Sequence, residues 1–270
     1  MGPLVAKYPA HLVVDAGGWV ERTNPDRPEL RSRLLLEGLR ELGLQIANVS
    51  ARDLRIGPEA LRACEDSLGI QLVSANIEVG GKPWFKPYVL SSRKVWGREV
   101  RIAVTAVTAG QRGADRGWPD SLTPQVTDPV ACAGRMLELL APQSDIQVLL
   151  AFLPASDLEQ LAKDQPEWDL LVGSTGDQRD PPPVGPVPAI LATGTKCKYL
   201  GWVALRPADS GGLVVAQSDL VALDAEVRDD PRMAERVRVF KTRLGNGAPP
   251  AVTAPGASPD GSAGSTAAHP

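Results

Sequence analysis

Short, unbroken apolar runs alternate along this chain with longer stretches in which apolar residues recur every three or four positions. The runs at Leu12-Val13-Val14, 44–49, 71–75 and 146–151 are short enough to read as buried parallel strands rather than helices. Between the first two, residues 27–42 place Leu35, Leu39 and Leu42 on one helical face and stop at Gly43. Pro58 sits where proline is tolerated, at the first turn of a second helix running to about Leu68. Strand, helix, strand, helix, strand predicts parallel crossovers with helices packed on a sheet.

The middle of the chain changes register. Residues 86–90 and 100–107 flank a turn at Trp96-Gly97 and predict a hairpin with a long second strand. The stretch 109–127, rich in Gly, Asp, Pro and Arg, reads as a surface loop, and by its length is the expected binding surface. Asp128-Pro129 opens a helix to Leu140, and Ser156 is expected to cap another to about Lys163. A strand at 168–172 then runs into Gly173-Ser-Thr-Gly176. The proline run 181–188 reads as an extended connector to strands near 188–193, 200–206 and 212–219, the last two a hairpin. Asp230-Pro231 starts a final amphipathic helix with Met233, Val237 and Phe240 on one face. Residues 245–270 are almost all Gly, Ala, Pro, Ser and Thr, which predicts a disordered tail behind a domain spanning 1–244.

Three of the apolar runs end in turns that carry polar groups: Asp15-Ala-Gly-Gly18, Ser50-Ala-Arg-Asp53 and Ser174-Thr-Gly-Asp177. The carboxyl ends of strands are where α/β proteins place their chemistry. Asp15, Asp53 and Asp177 can together hold one hard cation such as Mg²⁺ or Ca²⁺. The simpler reading is that they cap turns or pair with Arg52 and Arg179. Gly173–Gly176 can cradle an anion through backbone N–H groups, but no lysine follows at P-loop spacing, so a plain turn is the better reading. Ser50, Ser174 and Thr175 have no histidine to act as base, which excludes a Ser-His-Asp hydrolase. Trp84 and Trp118 lie in loop-like stretches, where they either anchor a partner or pack inward; packing is the commoner role.

Composition narrows the classes further. At 270 residues and 43% hydrophobic, the chain can bury one good-sized core. A net charge of −3 offers no basic excess for nucleic acid or for an anionic membrane. No apolar run approaches the ~18 residues of a transmembrane helix. The start shows neither a signal-peptide pattern nor a myristoylation site, so the chain as written is expected in the cytoplasm. A true start lying upstream would make export to the periplasm or beyond the alternative expectation. Cys64, Cys132 and Cys197 are odd in number and widely spaced, so they form no disulfide framework or zinc pair. Cys64 and Cys132 read as small buried hydrophobes. Cys197 stands between Lys196 and Lys198, neighbours that can lower a thiol pKa, although an ordinary strand-edge cysteine is the simpler reading.

Several segments, in order, resemble the N-terminal catalytic domain of the 5′-nucleotidase and UDP-sugar hydrolase family, within the calcineurin-like metallophosphoesterases. His11–Gly18 resembles the family's Leu-Leu-Asp-Ala-Gly-Asp strand. Glu41-Leu-Gly-Leu-Gln-Ile-Ala47 resembles the approach to its Asn-His-Glu motif. Ser74-Ala-Asn-Ile77 with Lys86-Pro-Tyr-Val89, Lys198-Tyr-Leu-Gly201 and the closing Leu223-Asp-Ala-Glu226 segment continue the match over roughly residues 10–240. The resemblance implies a layered α/β sandwich of mixed sheets flanked by helices.

It also implies two metal ions, which activate a water and clamp the phosphoryl oxygens. The ligands the family uses are not here. Its first strand, with Asp-x-His, has no counterpart, and its bridging Asp falls on Gly18. Its Asn-His falls on Ala51 and Arg52, its Ser-His on Ala151 and Phe152, and its His-x-His on Thr175-Gly-Asp177. The chain has two histidines, His11 and His269, and neither stands at a strand's carboxyl end. A guanidinium at Arg52 can replace the lost cation charge and hold the cleft acids together, a role ranked above holding a phosphate.

The expected cleft is therefore Asp15, Gly18, Arg52, Asp53, Phe152, Thr175 and Asp177, with no catalytic residue, metal or cofactor. The expected function is that of a non-catalytic binding or accessory subunit with a protein partner. The resemblance alone suggests a multihaem c-type cytochrome or other electron-transfer assembly. A metal-dependent phosphoesterase of the 5′-nucleotidase type, truncated at its N-terminus, is the alternative; a binder of a small ligand in the relic cleft is a third class.

Overall fold

The computed structural model describes residues 2–21, 27–95, 97–111, 113–114, 118–174, 180–209 and 212–245. Two units separate by their contacts, Met1–Arg228 and Asp229–Pro270.

The first unit is built on two sheets laid face to face. A small parallel sheet has the order β1 (Val14–Asp15), β2 (Ile46–Asn48), β3 (Gln71–Val73). The predicted crossovers are present: α2 (Pro28–Glu41) joins β1 to β2, and α3 (Pro58–Leu68) joins β2 to β3. A short helix α1 (Gly2–Lys7) precedes them. The larger sheet has the order β12 (Ala189–Ala192), β10 (Leu170–Gly173), β9 (Ile146–Phe152), β7 (Arg98–Thr108), β6 (Tyr88–Val95). It is mixed: the first four strands are parallel, and β6 pairs antiparallel with β7 as the predicted hairpin. Helices α4 (Pro129–Leu140) and α5 (Ala155–Asp164) belong to this half.

Alternation along the strands sorts side chains into three cores, because successive residues of a strand face opposite ways. Ile46 and Val73 meet Val104, Leu150 and Val172 between the sheets. Ala47 and Leu72 turn outward onto Leu36 of α2 and Leu61 and Cys64 of α3. Val107, Leu149 and Leu171 turn the other way onto Cys132, Leu137, Leu158 and Leu161. The layers run helix, sheet, sheet, helix. Each fully buried leucine here contributes about 1.5–3 kcal/mol relative to exposure.

Two small sheets complete the unit: β4 (Ile77–Val79), β5 (Lys82–Pro83) and β8 (Gln125–Val126), and an antiparallel set of β11 (Gly185–Pro186), β14 (Leu213–Ala222) and β13 (Tyr199–Pro207). The second unit's described part is α6 (Pro231–Gly245), the predicted final helix, whose start is capped by Asp230 Oδ1 accepting from the N–H groups of Arg232 and Met233.

Three expectations are corrected. Leu42 is half-exposed at the end of α2, and Leu36 is the leucine wholly buried on that helix, flanked by Leu35 and Leu39. Ser156 does not cap α5; its N-cap position is Pro154, and the Ser156 hydroxyl donates to Asp157 Oδ1 inside the helix. The stretch 109–127 is not all surface loop. It contributes β8 and a 3-10 turn at Asp120–Leu122, and Ala114 and Trp118 are buried in the core. Trp118 donates to the Leu54 carbonyl at 2.7 Å and meets Trp84 edge to face at 5.5 Å, so both rings are packing residues. Cys64 and Cys132 are buried, as expected, and the sequence beyond Gly245 lies outside the described residues.

Candidate functional site

The carboxyl ends of β1, β2 and β9 come together, and five of the seven expected cleft residues meet there. The turn after β1 begins with Asp15, whose Oδ1 accepts from Gly17 N–H and from Trp19 Nε1–H, both at 2.8 Å. Gly17 (φ 88°) and Gly18 (φ 92°) carry the chain through backbone angles that side-chain-bearing residues rarely adopt. A Cβ on Gly17 would stand 2.8 Å from the Asn48 carbonyl oxygen, so the turn presses directly against β2.

Asp53 is fully buried and stitches this turn to the one after β2. Oδ2 accepts from Gly18 N–H at 2.8 Å, Ser50 N–H at 2.9 Å and the Ser50 hydroxyl at 2.7 Å. Oδ1 accepts from Val20 N–H at 3.0 Å. Burial pushes the Asp53 carboxyl above its ordinary value, against these four hydrogen bonds, each of which favours the carboxylate. Burial likewise raises Asp15, opposed by Trp19 and Gly17 and assisted by the neighbouring charge of Asp53. Both oxygens of Asp53 and Oδ1 of Asp15 are thus engaged by the protein's own N–H and O–H groups.

The opposite wall comes from the large sheet. An ideal Cβ on Gly18 would stand 2.5 Å from Phe152 Cε2, so the aromatic ring fills the space into which a side chain at residue 18 would project. The Arg52 guanidinium carbon lies 5.0 Å from the centre of that ring, within cation–π range. Arg52 thus stacks on Phe152. Thr175 and Asp177, with Arg179, lie outside the described residues.

Cys197 stands at the exposed turn before β13 with a positive φ of 51°. Its lysine neighbours do not lower the thiol, in keeping with the simpler reading of an ordinary cysteine. Desolvation of the sulfur raises it, and Asp15 is near enough to raise it further. A thiol held protonated is a poor nucleophile.

Sequence reasoning missed the polar residues that clamp this region. Asn48 donates to the Ala16 and Val107 carbonyls at 3.0 Å each, tying the β1 turn and β2 to β7. Asn76 exchanges bonds with Thr108, donating to its carbonyl at 2.8 Å and accepting from its N–H at 3.0 Å. The Thr108 hydroxyl accepts from Ala51 N–H at 3.0 Å. The available signal was an asparagine at the end of an apolar run, since a buried amide must find partners.

A dinuclear metal site does not fit these residues. Among the described residues, no group of three or more His, Cys, Asp or Glu side chains is placed to hold a metal ion. His11, before β1, has its ring Nδ1 3.0 Å from the Tyr8 carbonyl, turned to its own segment.

Compared with solved structures, the chain has the fold of the calcineurin-like phosphoesterases and the 5′-nucleotidase N-terminal domains. The calcineurin-like phosphoesterase YfkN of Bacillus subtilis matches with a TM-score of 0.69 at 16% identity, over 90% of this chain and 86% of that one. The sulfate thiohydrolase SoxB of Thermus thermophilus matches with a TM-score of 0.68 at 20% identity, over 91% of this chain and 45% of that one. A 5′-nucleotidase precursor, also of Thermus thermophilus, gives 0.67 at 18% identity, over 90% of this chain and 52% of that one. The chain thus spans about half the length of the last two proteins. No protein-family description and no curated protein sequence matches it.

Proposed function

We propose that this chain is a phosphoesterase-fold protein without phosphoesterase chemistry, working as a binding or accessory subunit. One observation carries the reading: Phe152 occupies the space beside Gly18, where the family resemblance sets a bridging carboxylate, and Arg52 stacks on its ring. A cation supplies its chemistry by holding water and substrate oxygens at open coordination positions. An aromatic ring under a fixed positive charge offers none. Asp15 and Asp53, the described acids of the cleft, are engaged by N–H and O–H donors, which supports a structural role for both.

The partner is proposed to be a protein, and a multihaem c-type cytochrome is the first class to test, on resemblance alone. The decisive experiment measures metal content of the purified protein and its turnover of an aryl phosphate with Mn²⁺, Zn²⁺ or Co²⁺ added. Absence of stoichiometric metal and of turnover is expected. Two metals per chain with turnover would overturn the reading in favour of a metal-dependent phosphoesterase.

A further inference from the structure

Helix α6 carries a charge pattern that the whole-chain balance hides. Arg232, Arg236, Arg238, Lys241 and Arg243 against the single acid Glu235 give it +4, leaving −7 for the rest of a chain whose total is −3. Its apolar residues Met233, Val237, Phe240 and Leu244 are spaced four, three and four apart. At about 100° per residue they form one stripe roughly 60° wide. The stripe is part-exposed along its length, and no side chain described on α6 is fully buried. On the same wheel Arg232, Arg236 and Arg243 flank the stripe on one side and Lys241 on the other. Glu235 faces away, its carboxylate accepting from Arg238 at 2.7 and 2.6 Å.

This stripe has heptad spacing, so a second copy of the helix is the first occupant to consider. Its flanks oppose that. A parallel pair would set Arg236 against Lys241, and an antiparallel pair would set Arg236 against Arg243. Fifteen residues also give only about two heptads, short of the three or four that mark a coiled coil. Basic side chains on both margins of a narrow apolar stripe, with the acid on the far face, suit a flat, negatively charged, partly apolar surface. Long Arg and Lys stems reach to headgroups while the stripe enters the acyl boundary.

We infer that α6 binds the surface of an anionic phospholipid membrane, with Met233, Val237, Phe240 and Leu244 inserted and the flanking Arg and Lys residues on the headgroups. No described helix is long and apolar enough to cross a membrane, so the mode is peripheral. The test is co-sedimentation of the full chain with vesicles of phosphatidylcholine and phosphatidylglycerol in equal parts, against phosphatidylcholine alone. Binding to the mixed vesicles only, weakening as salt rises, is expected. Lys241→Gln and Arg243→Gln should each weaken it about fivefold, and Phe240→Ala about tenfold. Glu235→Gln should not weaken it. Equal binding to neutral vesicles, or none to either, would overturn the inference. So would a concentration-dependent dimer that Phe240→Ala abolishes, which would give the stripe to a second copy. Capture of an acidic amphipathic peptide without vesicle binding would give it to a protein and overturn the inference as well.

Discussion

The small sheet and the five-stranded sheet bring parallel strands to one shared edge, yet the first ends in carboxylates and the second in an aromatic ring. Asp15 accepts from the N–H of Gly17 in its own turn, Asp53 accepts from Ser50 in its own turn and from Gly18 and Val20 in the turn after β1, and Phe152 reaches across to cover Gly18. A fold decides where strand ends converge; the side chains placed there decide whether the convergence binds a cation or closes on itself. Here the polar half satisfies the backbone and the apolar half fills the space.

Breaking the polar half should have the largest effect. Asp53→Ala strands the buried N–H groups of Ser50 and Val20, the part-buried one of Gly18 and the Ser50 hydroxyl, and should cost about 3–5 kcal/mol in chemical denaturation. A loss below about 1 kcal/mol would mean that water replaces the carboxylate and that the cleft is wetter than its burial implies.

The boundary between the halves comes next. Gly18→Ala adds a Cβ at a positive φ and against Phe152, and should cost about 2–4 kcal/mol. Phe152→Ala, at a part-exposed ring, should cost about 2 kcal/mol. Made together, the two should cost about 1 kcal/mol less than their sum, because removing the ring makes room for the new methyl. Strict additivity in a double-mutant cycle would deny the contact.

The smallest effect is one of pH. Burial raises Asp15 above its ordinary value of 3.8, so the folded protein holds that proton more tightly than the unfolded chain does. Its contribution to stability is fully present below that ordinary value and is lost as pH rises through the raised one. Asp15→Asn keeps an oxygen for Gly17 and Trp19 but cannot ionise. It should therefore gain stability relative to the natural protein as pH rises above the ordinary carboxylate value, read as a difference in denaturation midpoints. At Asp145 the sign reverses, because the hydrogen bond from the Arg101 side chain holds that exposed carboxyl below its ordinary value.

Most of the strands and helices were legible, because apolar periodicity reports directly which side of an element is dry. The β1-α2-β2-α3-β3 crossovers and the hairpin of β6 and β7 followed from that periodicity, whereas the layered sandwich was what the family resemblance implied. Leu42 was misplaced, since the spacing of Leu35, Leu39 and Leu42 ignores Leu36, which the layer above selects. Ser156 was misread because Pro154 already starts α5 two residues earlier. Trp118 looked like a loop residue, since the carbonyl of Leu54, its hydrogen-bond partner, is 64 residues away in sequence.

By itself the sequence determined the inventory: two histidines, a glycine pair after a short strand, an acid at 53 and a helix with one basic-flanked apolar stripe. An inventory limits chemistry, because a site cannot use side chains that the chain lacks. Only the tertiary structure decided what Asp53, Arg52 and Phe152 do, because their partners Gly18 and Val20 arrive from another strand's turn and the Phe152 ring arrives from the other sheet. Hydrogen bonds and ring contacts act over a few ångströms in space, and no spacing along the chain states which distant turns the sheets bring that close.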